Sequence, residues 1–461
     1  MIRGRLAEAA AWAGGVLSGD GGDFAGVSTD TRSLEAGELF VALEGPNFDG
    51  HEFVCSAAER GAVGAVVARE VDAPLPRIRV ADTLVALGAL AAAWRQDRDP
   101  TVVGVTGSSG KTTVKELLAA ILSVVDETLV TRGNFNNEVG VPLTLFRLGA
   151  GHRFAVIEMG ANHVGEIARL AAIARPDVGL ITMAGPSHLE GFGDLDGVAR
   201  GKGEMFTGLS PEGTAILNAD DAYAGFWRGL AAHARIVYFG LGPAAEVTAR
   251  RIEPLDGDAP GSRFELVTPA GAIDIELPLP GRHNVMNALA AAAAAQAAGA
   301  GLEHIRAGLA AARGVAGRLN LKTGRGGVRI IDDTYNANPA SVRAALDVLV
   351  NLPGRAWAVL GDMGELGPDA ASLHREIGAQ ARARGVERLY ALGPLSRSTA
   401  AGFGADAMHC DDLETLRRRL EPELTGDVNL LVKGSRMMRL ERLVEALTAA
   451  VPVAPKVEAT D

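Results

Sequence analysis

An apolar strand that runs directly into a glycine-rich loop and then a helix is the feature that most constrains this chain. Residues Val102–Val105 read as the strand, Thr106–Thr112 (TGSSGKT) as the loop and Thr113–Val125 as the helix. In this order, the backbone N–H groups of the loop and the positive end of the helix surround one small volume, which suits a phosphate group. The sequence therefore predicts a parallel α/β sheet with a phosphate site at its edge.

The loop matches a variant of the P-loop pattern GxxxxGK[ST], with Val105 in place of the first glycine. Lys111 is expected to reach the terminal phosphates of ATP, and the Thr112 hydroxyl to coordinate Mg²⁺. The alternative is a glycine-rich turn with an unrelated lysine. The residues predicted to contact ATP at the loop are Thr106, Gly107, Ser108, Ser109, Gly110, Lys111, Thr112 and Thr113.

Short apolar strands alternate with helical stretches and divide the 461 residues into three α/β regions. At roughly 100–200 residues per domain, a chain of this length is expected to form two to four domains, and we predict three. The predicted regions are a small N-terminal α/β domain (1–97), a central P-loop parallel-sheet ATPase domain (98–315) and a C-terminal Rossmann-like domain (316–461). The polar stretch Gln96–Pro100 is predicted to be a hinge or boundary, and the tail Val451–Asp461 to be frayed.

Composition and charge exclude several classes of protein. The net charge of −11 provides no basic field for nucleic acid or an anionic membrane, so neither is an expected partner. Cys55 and Cys410 belong to no CxxC or Cys/His pattern and favour a reducing cytoplasm. The alanine-rich run Ala288–Ala300 is the nearest candidate for a membrane span, but its weak hydrophobicity and Gln296 favour a buried helix.

Two residues near the predicted sheet edge are candidates for a metal or ligand site, and Lys202 is considered beside them. Glu158 directly follows an apolar strand, where a carboxylate is expected to supply Mg²⁺ with oxygen, although a surface glutamate is the alternative. His188 follows the strand Val178–Thr182, but a lone histidine is more often structural. Lys202 lies among glycines, and its residue type alone favours a solvated surface position.

Amide and charged clusters elsewhere suggest the rest of a nucleotide site. Asn218–Asp221 (NADD) lacks the lysine of the guanine-reading NKxD signature, which favours adenine. Asn284 and Asn287 stand three apart at a helix start, where both can bond one base, although N-capping alone would explain Asn284. In the third region, polar clusters at strand ends predict a second ligand crevice, with Arg318 reaching ATP on domain closure.

Taken together, these motifs resemble the Mur ligases, the ATP-dependent amide-forming enzymes of bacterial peptidoglycan precursor synthesis, over essentially the whole chain. Three segments are similar to the member that adds D-alanyl-D-alanine: Thr131–Pro142 (TRGNFNNEVGVP), Asp332–Pro339 (DDTYNANP) and Lys433–Arg436 (KGSR). The DNPR-type and YAHxP-type motifs of the ligase that adds the third residue are absent. Val105 departs from the pattern in a way that the family tolerates, and Met437–Met438 bears on the edge of the amino-acid pocket.

The resemblance implies a two-metal site and a modified lysine. It implies that CO₂ carbamylates Lys202, which turns a cation into a carboxylate-like ligand. Thr112 and Glu158 would hold one Mg²⁺, and His188 with the carbamylated Lys202 would hold the second. The catalytic residues that it implies are Lys111, His188, Lys202 and Arg318.

The resemblance also implies the ligand contacts. Asn284 and Asn287 would contact adenine, Asp333 the ribose and Arg318 the phosphates of ATP. The residues similar to the family's uridine-nucleotide segments are Ser28, Asp30, Thr31, Arg32, Asp49 and His51, and those that would line the channel for the peptide are Asn134, Asn136 and Asn137. On the side of D-alanyl-D-alanine, the implied residues are Tyr335, Asn336, Asn338, Lys433, Ser435 and Arg436.

The implied activity is ligation of D-alanyl-D-alanine to UDP-N-acetylmuramoyl-tripeptide through an acyl phosphate, by a monomer in the cytoplasm. Whether the third residue of the peptide is meso-diaminopimelate or lysine stays open. Folylpolyglutamate synthase is the alternative with the same fold, although its DGAHNP-type motif is replaced here by Asp333–Pro339. An alternative from another class is a partitioning or assembly protein that hydrolyses ATP to change partners.

Overall fold

The computed structural model describes residues 1–255 and 261–448. The tail Val451–Asp461, predicted to be frayed, lies outside the described residues. The chain forms two compact units. Unit 1 comprises Met1–Ala184, Leu195–Pro278 and Asn284–Ala312, and unit 2 comprises Gly185–Asp194, Leu279–His283 and Arg313–Asp461. The predicted α/β class is confirmed, because parallel sheets with helices between their strands occur in both units.

The N-terminal region of unit 1 is built around a small mixed sheet. The strands of this region are β1 (Gly4–Arg5), β2 (Val16–Ser18), β3 (Asp23–Phe24), β4 (Val27–Ser28), β5 (Leu39–Val41), β6 (Glu44–Gly45), β7 (Phe48–Asp49), β8 (Gly64–Val67) and β9 (Arg77–Arg79). Strands β1 and β3 form one two-stranded sheet, and β6 and β7 form another. Its helices are α1 (Leu6–Trp12), α2 (Val54–Glu59) and α3 (Thr83–Arg98). The five-stranded sheet has the order β2-β9-β8-β5-β4, in which β2 alone is antiparallel to its neighbour.

Residues 101–239 form the predicted parallel sheet. Its strands are β10 (Thr101–Thr106), β11 (Thr128–Val130), β12 (Phe154–Glu158), β13 (Val178–Ile181), β14 (Thr214–Asn218) and β15 (Arg235–Phe239). The helices that follow one another here are α4 (Lys111–Val125), α5 (Gly140–Leu145), α6 (Glu166–Ala174), α7 (Leu189–Phe192), α8 (Leu195–Thr207) and α9 (Ala224–Leu230). The order β11-β12-β10-β13-β14-β15 makes β10 the point at which the connections change direction, and ligands bind at such a switch point.

A three-stranded antiparallel sheet follows, which the sequence patterns did not predict. It consists of β16 (Thr248–Pro254), β17 (Ser262–Thr268) and β18 (Gly271–Leu277). Strand β17 alternates buried with half-buried positions, whereas β16 has no buried residue. The exposed residues of β16 and β18 include Arg250, Arg251, Glu253, Asp274 and Glu276. Two helices complete this part of the chain, α10 (Arg282–Ala297) and α11 (Leu302–Ala310).

Helix α10 contains the alanine-rich run, and it is buried as predicted. Alanines 288 and 290–295 and Leu289 are at most 1% exposed, because their small side chains let neighbouring elements approach closely. Within residues 1–255 and 261–448, no helix combines the length and the apolar character needed to cross a bilayer.

The C-terminal region in unit 2 is a second doubly wound domain. Its strands are β19 (Asn320–Thr323), β20 (Arg329–Asp333), β21 (Arg355–Gly361), β22 (Arg388–Leu392), β23 (Ala407–Cys410) and β24 (Val428–Lys433), and its helices are α12 (Pro339–Val350), α13 (Ala370–Ala383), α14 (Ser396–Phe403), α15 (Leu413–Leu420) and α16 (Glu441–Thr448). The sheet order is β19-β20-β24-β21-β22-β23, with only β19 antiparallel. Alternate strand residues enter two separate apolar clusters, so both faces of the sheet are covered by helices.

Contacts brace the stretch Gln96–Pro100, which was predicted to be a hinge or boundary. Helix α3 runs to Arg98, and Trp94 Nε1 donates a hydrogen bond to Leu148 O at 3.1 Å. The buried Arg95 donates to Ala174 O at 3.1 Å and to Arg175 O at 3.0 Å, so it satisfies carbonyls at the end of α6. These contacts join the N-terminal and central regions into one compact unit.

We expect Arg95→Met to lower the free energy of unfolding by about 2–4 kcal/mol, because it leaves buried acceptors without a donor. Chemical denaturation followed by circular dichroism measures the change. The control is Arg79→Met, which removes an exposed ion pair with Glu70 and should cost less than about 0.5 kcal/mol. Equal effects of the two substitutions would show that Arg95 does not brace the boundary.

Candidate active site

The glycine loop follows β10 and leads into α4 with two glycines in backbone conformations that disfavour side chains. Gly107 has φ +142° and Gly110 has φ +83°. A Cβ atom at Gly107 would lie 1.9 Å from Thr182 Oγ1, and one at Gly110 would lie 2.5 Å from Asn287 Oδ1. The loop is thus a backbone cradle at a helix N-terminus, and this cradle fits the phosphates of a nucleotide.

The end of the neighbouring strand β13 supports this cradle. Thr182 Oγ1 donates to Ser109 O at 2.6 Å, and Ser108 N donates to Met183 O at 2.9 Å. Asn218 Nδ2 in turn donates to Thr182 O at 3.0 Å. Asn218 belongs to the segment that was compared with the guanine-reading signature, and in the structure its amide serves to hold Thr182 in place.

Lys111 and Thr112 occupy the first turn of α4. Lys111 Nζ donates to Gly107 O at 2.7 Å, which holds the ammonium over the loop. Thr112 is buried, with 8% of the residue exposed. Both side chains are therefore at the cradle where the sequence predicts them.

Glu158 ends β12 and is buried, contrary to the surface alternative. Its Oε1 accepts a hydrogen bond from Asn136 Nδ2 at 2.8 Å. Its Oε2 has no hydrogen-bond partner among the described residues, although Lys115 Nζ lies 3.8 Å away. A buried carboxylate oxygen that accepts no hydrogen bond fits a hard cation such as Mg²⁺.

Lys202 lies inside α8 and is 1% exposed, so a solvated surface position is wrong for it. Burial and the charge of Lys111 lower the pKa of Lys202 to about 7, and they outweigh Glu166 and Glu204, which act to raise it. Its Nζ donates to Ala161 O at 3.1 Å. A lysine that is partly neutral near pH 7 fits carbamylation, because only the neutral amine attacks CO₂.

His188 belongs to unit 2, whereas Lys202 belongs to unit 1. His188 adopts a left-handed conformation with φ +52°, and its Nδ1 forms an ion pair with the carboxylate of Glu365. Leu189 N also donates to Glu365 O at 3.1 Å. The metal that His188 and Lys202 are predicted to share stays a prediction. Within residues 1–255 and 261–448, no three His, Cys, Asp or Glu side chains cluster as a metal site.

Asn284 and Asn287 lie on adjacent turns of α10 and contact each other. Asn287 Nδ2 donates to Asn284 Oδ1 at 3.1 Å. The N-capping alternative for Asn284 is wrong, because the helix begins two residues earlier, at Arg282. Since Asn287 Oδ1 also lies against Gly110, the amide pair stands beside the phosphate cradle.

The predicted uridine-nucleotide residues form two local clusters in the N-terminal region. Ser28 Oγ donates to Asp30 O at 3.1 Å, and Arg32 lowers the pKa of Asp30 to about 2 through hydrogen bonds to its carboxylate. His51 is buried, its Nδ1 pairs with Asp49 Oδ1 at 2.6 Å and its Nε2 accepts from Ala68 N at 2.9 Å. Asp49 and His51 thus hold their own loop together, whereas the Arg32 side chain is exposed and Thr31 is half-buried.

The predicted peptide-channel residues surround the start of α5. Asn136 reaches Glu158, as described above, and Asn137 Oδ1 accepts from Gly140 N at 2.8 Å. Asn134 is exposed. The channel segment therefore includes one residue that touches the candidate metal ligand and one that stabilises the helix after it.

In unit 2, the residues assigned to different ligands contact one another. Asp333 Oδ2 lies 2.6 Å from Lys433 Nζ, which also donates to Asn336 O at 2.8 Å. The Arg318 guanidinium stacks on the Tyr335 ring, with Cζ 4.2 Å from the ring centroid. Asp333, the predicted ribose contact, and Lys433, a predicted dipeptide contact, thus form one buried ion pair.

Three further predicted dipeptide residues have mixed environments. Asn338 is the N-cap of α12, and its Oδ1 accepts from Ser341 N at 2.8 Å. Ser435 Oγ is buried and has no hydrogen-bond partner among the described residues. Arg436 lies with its Cζ 5.9 Å from the Tyr335 ring centroid and pairs with Glu441.

Sequence reasoning missed Thr182, Lys115 and Glu365. Thr182 stands at the carboxyl end of a parallel strand, so the rule that selected Glu158 also applies to it. Lys115 lies four residues after Lys111 on α4, which places both on the same side of the helix. No signal in the sequence predicted that Glu365, whose backbone adopts φ +59°, would pair with His188.

The fold and the site define a P-loop α/β protein that binds a nucleotide. Three family models match the chain: the Mur ligase family catalytic domain at residues 23–95, the Mur ligase middle domain at 105–295 and the Mur ligase glutamate ligase domain at 317–436. The chain belongs to the Mur ligase family, so it is a ligase and its three-domain architecture is that of the family.

Relatives of known name match the chain over nearly its full length. The UDP-N-acetylmuramoyl-tripeptide–D-alanyl-D-alanine ligase of Escherichia coli K12 is 45% identical, and the match covers 91% of this chain and 93% of that protein. A crystal structure of MurF from Acinetobacter baumannii is 37% identical with a TM-score of 0.91, covering 96% and 98% of the two chains. MurF from Thermotoga maritima in complex with ADP is 28% identical with a TM-score of 0.83, covering 91% and 96%.

The alternative within the same fold is more distant. Folylpolyglutamate synthase of Mycobacterium tuberculosis complexed with ADP is 18% identical, with a TM-score of 0.63 and coverage of 80% of this chain and 94% of that one. This likeness shows a shared fold and carries no further information on activity.

We expect Thr182→Val to weaken ADP binding about tenfold, because it removes the hydrogen bond that holds the Ser109 carbonyl while it preserves the volume of the side chain. Isothermal titration calorimetry measures the dissociation constant. Thr182→Ser is the matched control, since it keeps the hydroxyl and should bind ADP nearly as the parent does. Unchanged affinity in the valine variant would rule out the supporting role of Thr182.

Proposed function

We propose that this ligase joins D-alanyl-D-alanine to UDP-N-acetylmuramoyl-tripeptide and converts ATP to ADP and phosphate. The observation that carries the proposal is the 45% identity to the Escherichia coli ligase of that name over 91% of the chain. The glycine loop, the buried Glu158 and the buried Lys202 support it, because a ligase that activates a carboxylate needs a phosphate site and a means of offsetting charge.

The proposed chemistry begins with attack of the terminal peptide carboxylate on the γ-phosphate of ATP, which gives an acyl phosphate and ADP. The amine of D-alanyl-D-alanine then attacks the activated carbonyl and releases phosphate. Both partners of the first step are anions, so the site must cancel their repulsion. Lys111, held over the glycine loop by the Gly107 carbonyl, supplies a positive charge at the phosphates.

We propose that Thr112 and Glu158 hold one Mg²⁺, and that His188 and carbamylated Lys202 hold another. Bound Mg²⁺ would act as a Lewis acid on the phosphate oxygens. Asn284 and Asn287 are proposed to contact adenine, and Arg318 the phosphates. The cytoplasmic location and the monomeric state expected from the sequence also remain predictions.

The proposed reaction is tested by ADP release from UDP-N-acetylmuramoyl-tripeptides that end in meso-diaminopimelate or in lysine, each with and without D-alanyl-D-alanine. We expect ADP release over many turnovers with one tripeptide and only when the dipeptide is present, since without the dipeptide the reaction stops at the acyl phosphate. ADP release over many turnovers with no amine acceptor would favour an ATP-hydrolysing switch protein instead. Release that requires glutamate and a folate would favour the alternative ligase.

We expect Lys202→Ala to abolish turnover, and a short-chain carboxylate supplied in solution to restore part of it by replacing the lost carbamate. With ¹³C-bicarbonate, the parent protein should show a carbamate resonance that the variant lacks. The resonance should grow as the pH rises through about 7, because the lowered pKa of Lys202 makes its amine neutral above that value.

Lys322→Arg is the control for the carbamate experiment, since it removes another lysine while it preserves the ion pair with Asp332. It should leave both the resonance and the turnover unchanged. Full activity of Lys202→Ala without added carboxylate would contradict the assignment of a carbamate to this lysine.

A further inference from the structure

Lys115 is a buried lysine that the proposed chemistry does not use. It lies on α4, one turn beyond Lys111, and its side chain is 1% exposed. Transfer of an ammonium group out of water is costly unless oppositely charged or polar groups compensate for it. Its neighbours therefore indicate why the fold keeps a cation at this position.

Three oxygens surround the Lys115 ammonium. Nζ donates to Thr131 O at 2.8 Å, and it lies 3.0 Å from Glu116 Oε1 and 3.8 Å from Glu158 Oε2. The Glu116 side chain is 43% exposed, whereas that of Glu158 is 3% exposed. Ion pairs at exposed positions contribute little, so Glu158 is the carboxylate that Lys115 affects most strongly.

The surroundings of Glu158 leave a charge to be balanced. Asn136 Nδ2 donates a hydrogen bond to Glu158 Oε1, and the backbone N of Glu158 donates to Thr131 Oγ1 at 3.0 Å. The Oε2 atom accepts no hydrogen bond within the described part of the chain. Before a divalent ion arrives, a nearby cation has to offset this buried carboxylate, and Lys115 is placed to do so.

We propose that Lys115 is a positioning residue that acts as the counter-cation of Glu158 while the metal site is empty. The proposal rests on the proposed role of Glu158 as a Mg²⁺ ligand. With Mg²⁺ held by Glu158, Lys115 would still have Thr131 O and Glu116 as partners. The lysine therefore retains compensation for its charge after the metal takes over the carboxylate.

The first arm of the test is a double-mutant cycle on the full chain without ligand, measured as the apparent Tm. Lys115→Met should lower the Tm by roughly 5 °C, because it leaves the Glu158 charge buried and unbalanced. The double variant Lys115→Met/Glu158→Gln should regain more than half of that loss, since it removes the stranded charge. A double variant whose loss is the sum of the single losses would overturn the proposal.

Glu116→Gln is the matched control, because it removes the other carboxylate near Lys115 and preserves its shape. It should change the Tm by no more than about 1 °C. If it reproduces the loss of Lys115→Met, the lysine acts through Glu116 and the proposal is wrong. If Lys115→Met does not fold, folding of the double variant supports the proposal and failure of both overturns it.

The second arm titrates MgCl₂ into the ADP-bound protein and follows binding by calorimetry. Without the charge of Lys115, Mg²⁺ should bind about tenfold more tightly, because it no longer meets a competing cation at Glu158. Equal or weaker Mg²⁺ binding in Lys115→Met would overturn the proposal. If Glu158→Gln binds Mg²⁺ as tightly as the parent protein does, the proposed metal role of Glu158 is wrong. The metal-free cycle would still report separately on the pairing of Lys115 with Glu158.

Discussion

The contact between the Thr182 hydroxyl and the glycine loop is the interaction on which the rest of the site depends. Gly107 has no side chain, so Thr182 Oγ1 can occupy the space where a Cβ atom would stand and can reach the Ser109 carbonyl. Glycines at positive φ permit several loop conformations, and a fixed carbonyl selects one of them. Because Asn218 holds Thr182 in turn, three consecutive strands of the sheet, β10, β13 and β14, determine the shape of the cradle.

Three buried lysines have two kinds of surroundings. Lys433 Nζ lies 2.6 Å from Asp333 Oδ2, and Lys115 Nζ lies 3.8 Å from Glu158 Oε2, so each of these two lysines has a carboxylate within ion-pair distance. At Lys202, burial and the positive Lys111 outweigh the acidic neighbours, and the pKa falls to about 7. Residue type alone therefore does not distinguish a structural cation from a reactive amine, because the burial and the neighbouring charges of each ammonium also matter.

The sequence predicted those features that follow from local order along the chain. A strand, a glycine loop and a helix in succession predicted the cradle, and the strand-end rule predicted Glu158, because side chains at the carboxyl ends of parallel strands meet at one edge. The hinge or boundary at Gln96–Pro100 stays a prediction, and the sequence did not indicate the contacts that brace this stretch, since Arg95 finds its carbonyl acceptors 79 and 80 residues away. Thr182 was missed because threonine is also a common strand residue, and its hydroxyl bond depends on the three-dimensional loop.

The ion pair between Asp333 and Lys433 in unit 2 determines what a substitution of either residue measures. Each is assigned to a different ligand by resemblance, but their atoms lie 2.6 Å apart and Lys433 is 2% exposed. Removal of either partner leaves the other charge buried and unbalanced, and this costs more than the loss of a ligand contact. A loss of activity in a single variant therefore measures the disrupted pair. Only a cycle that removes both charges separates contact with ribose or dipeptide from the integrity of the strand ends that carry them.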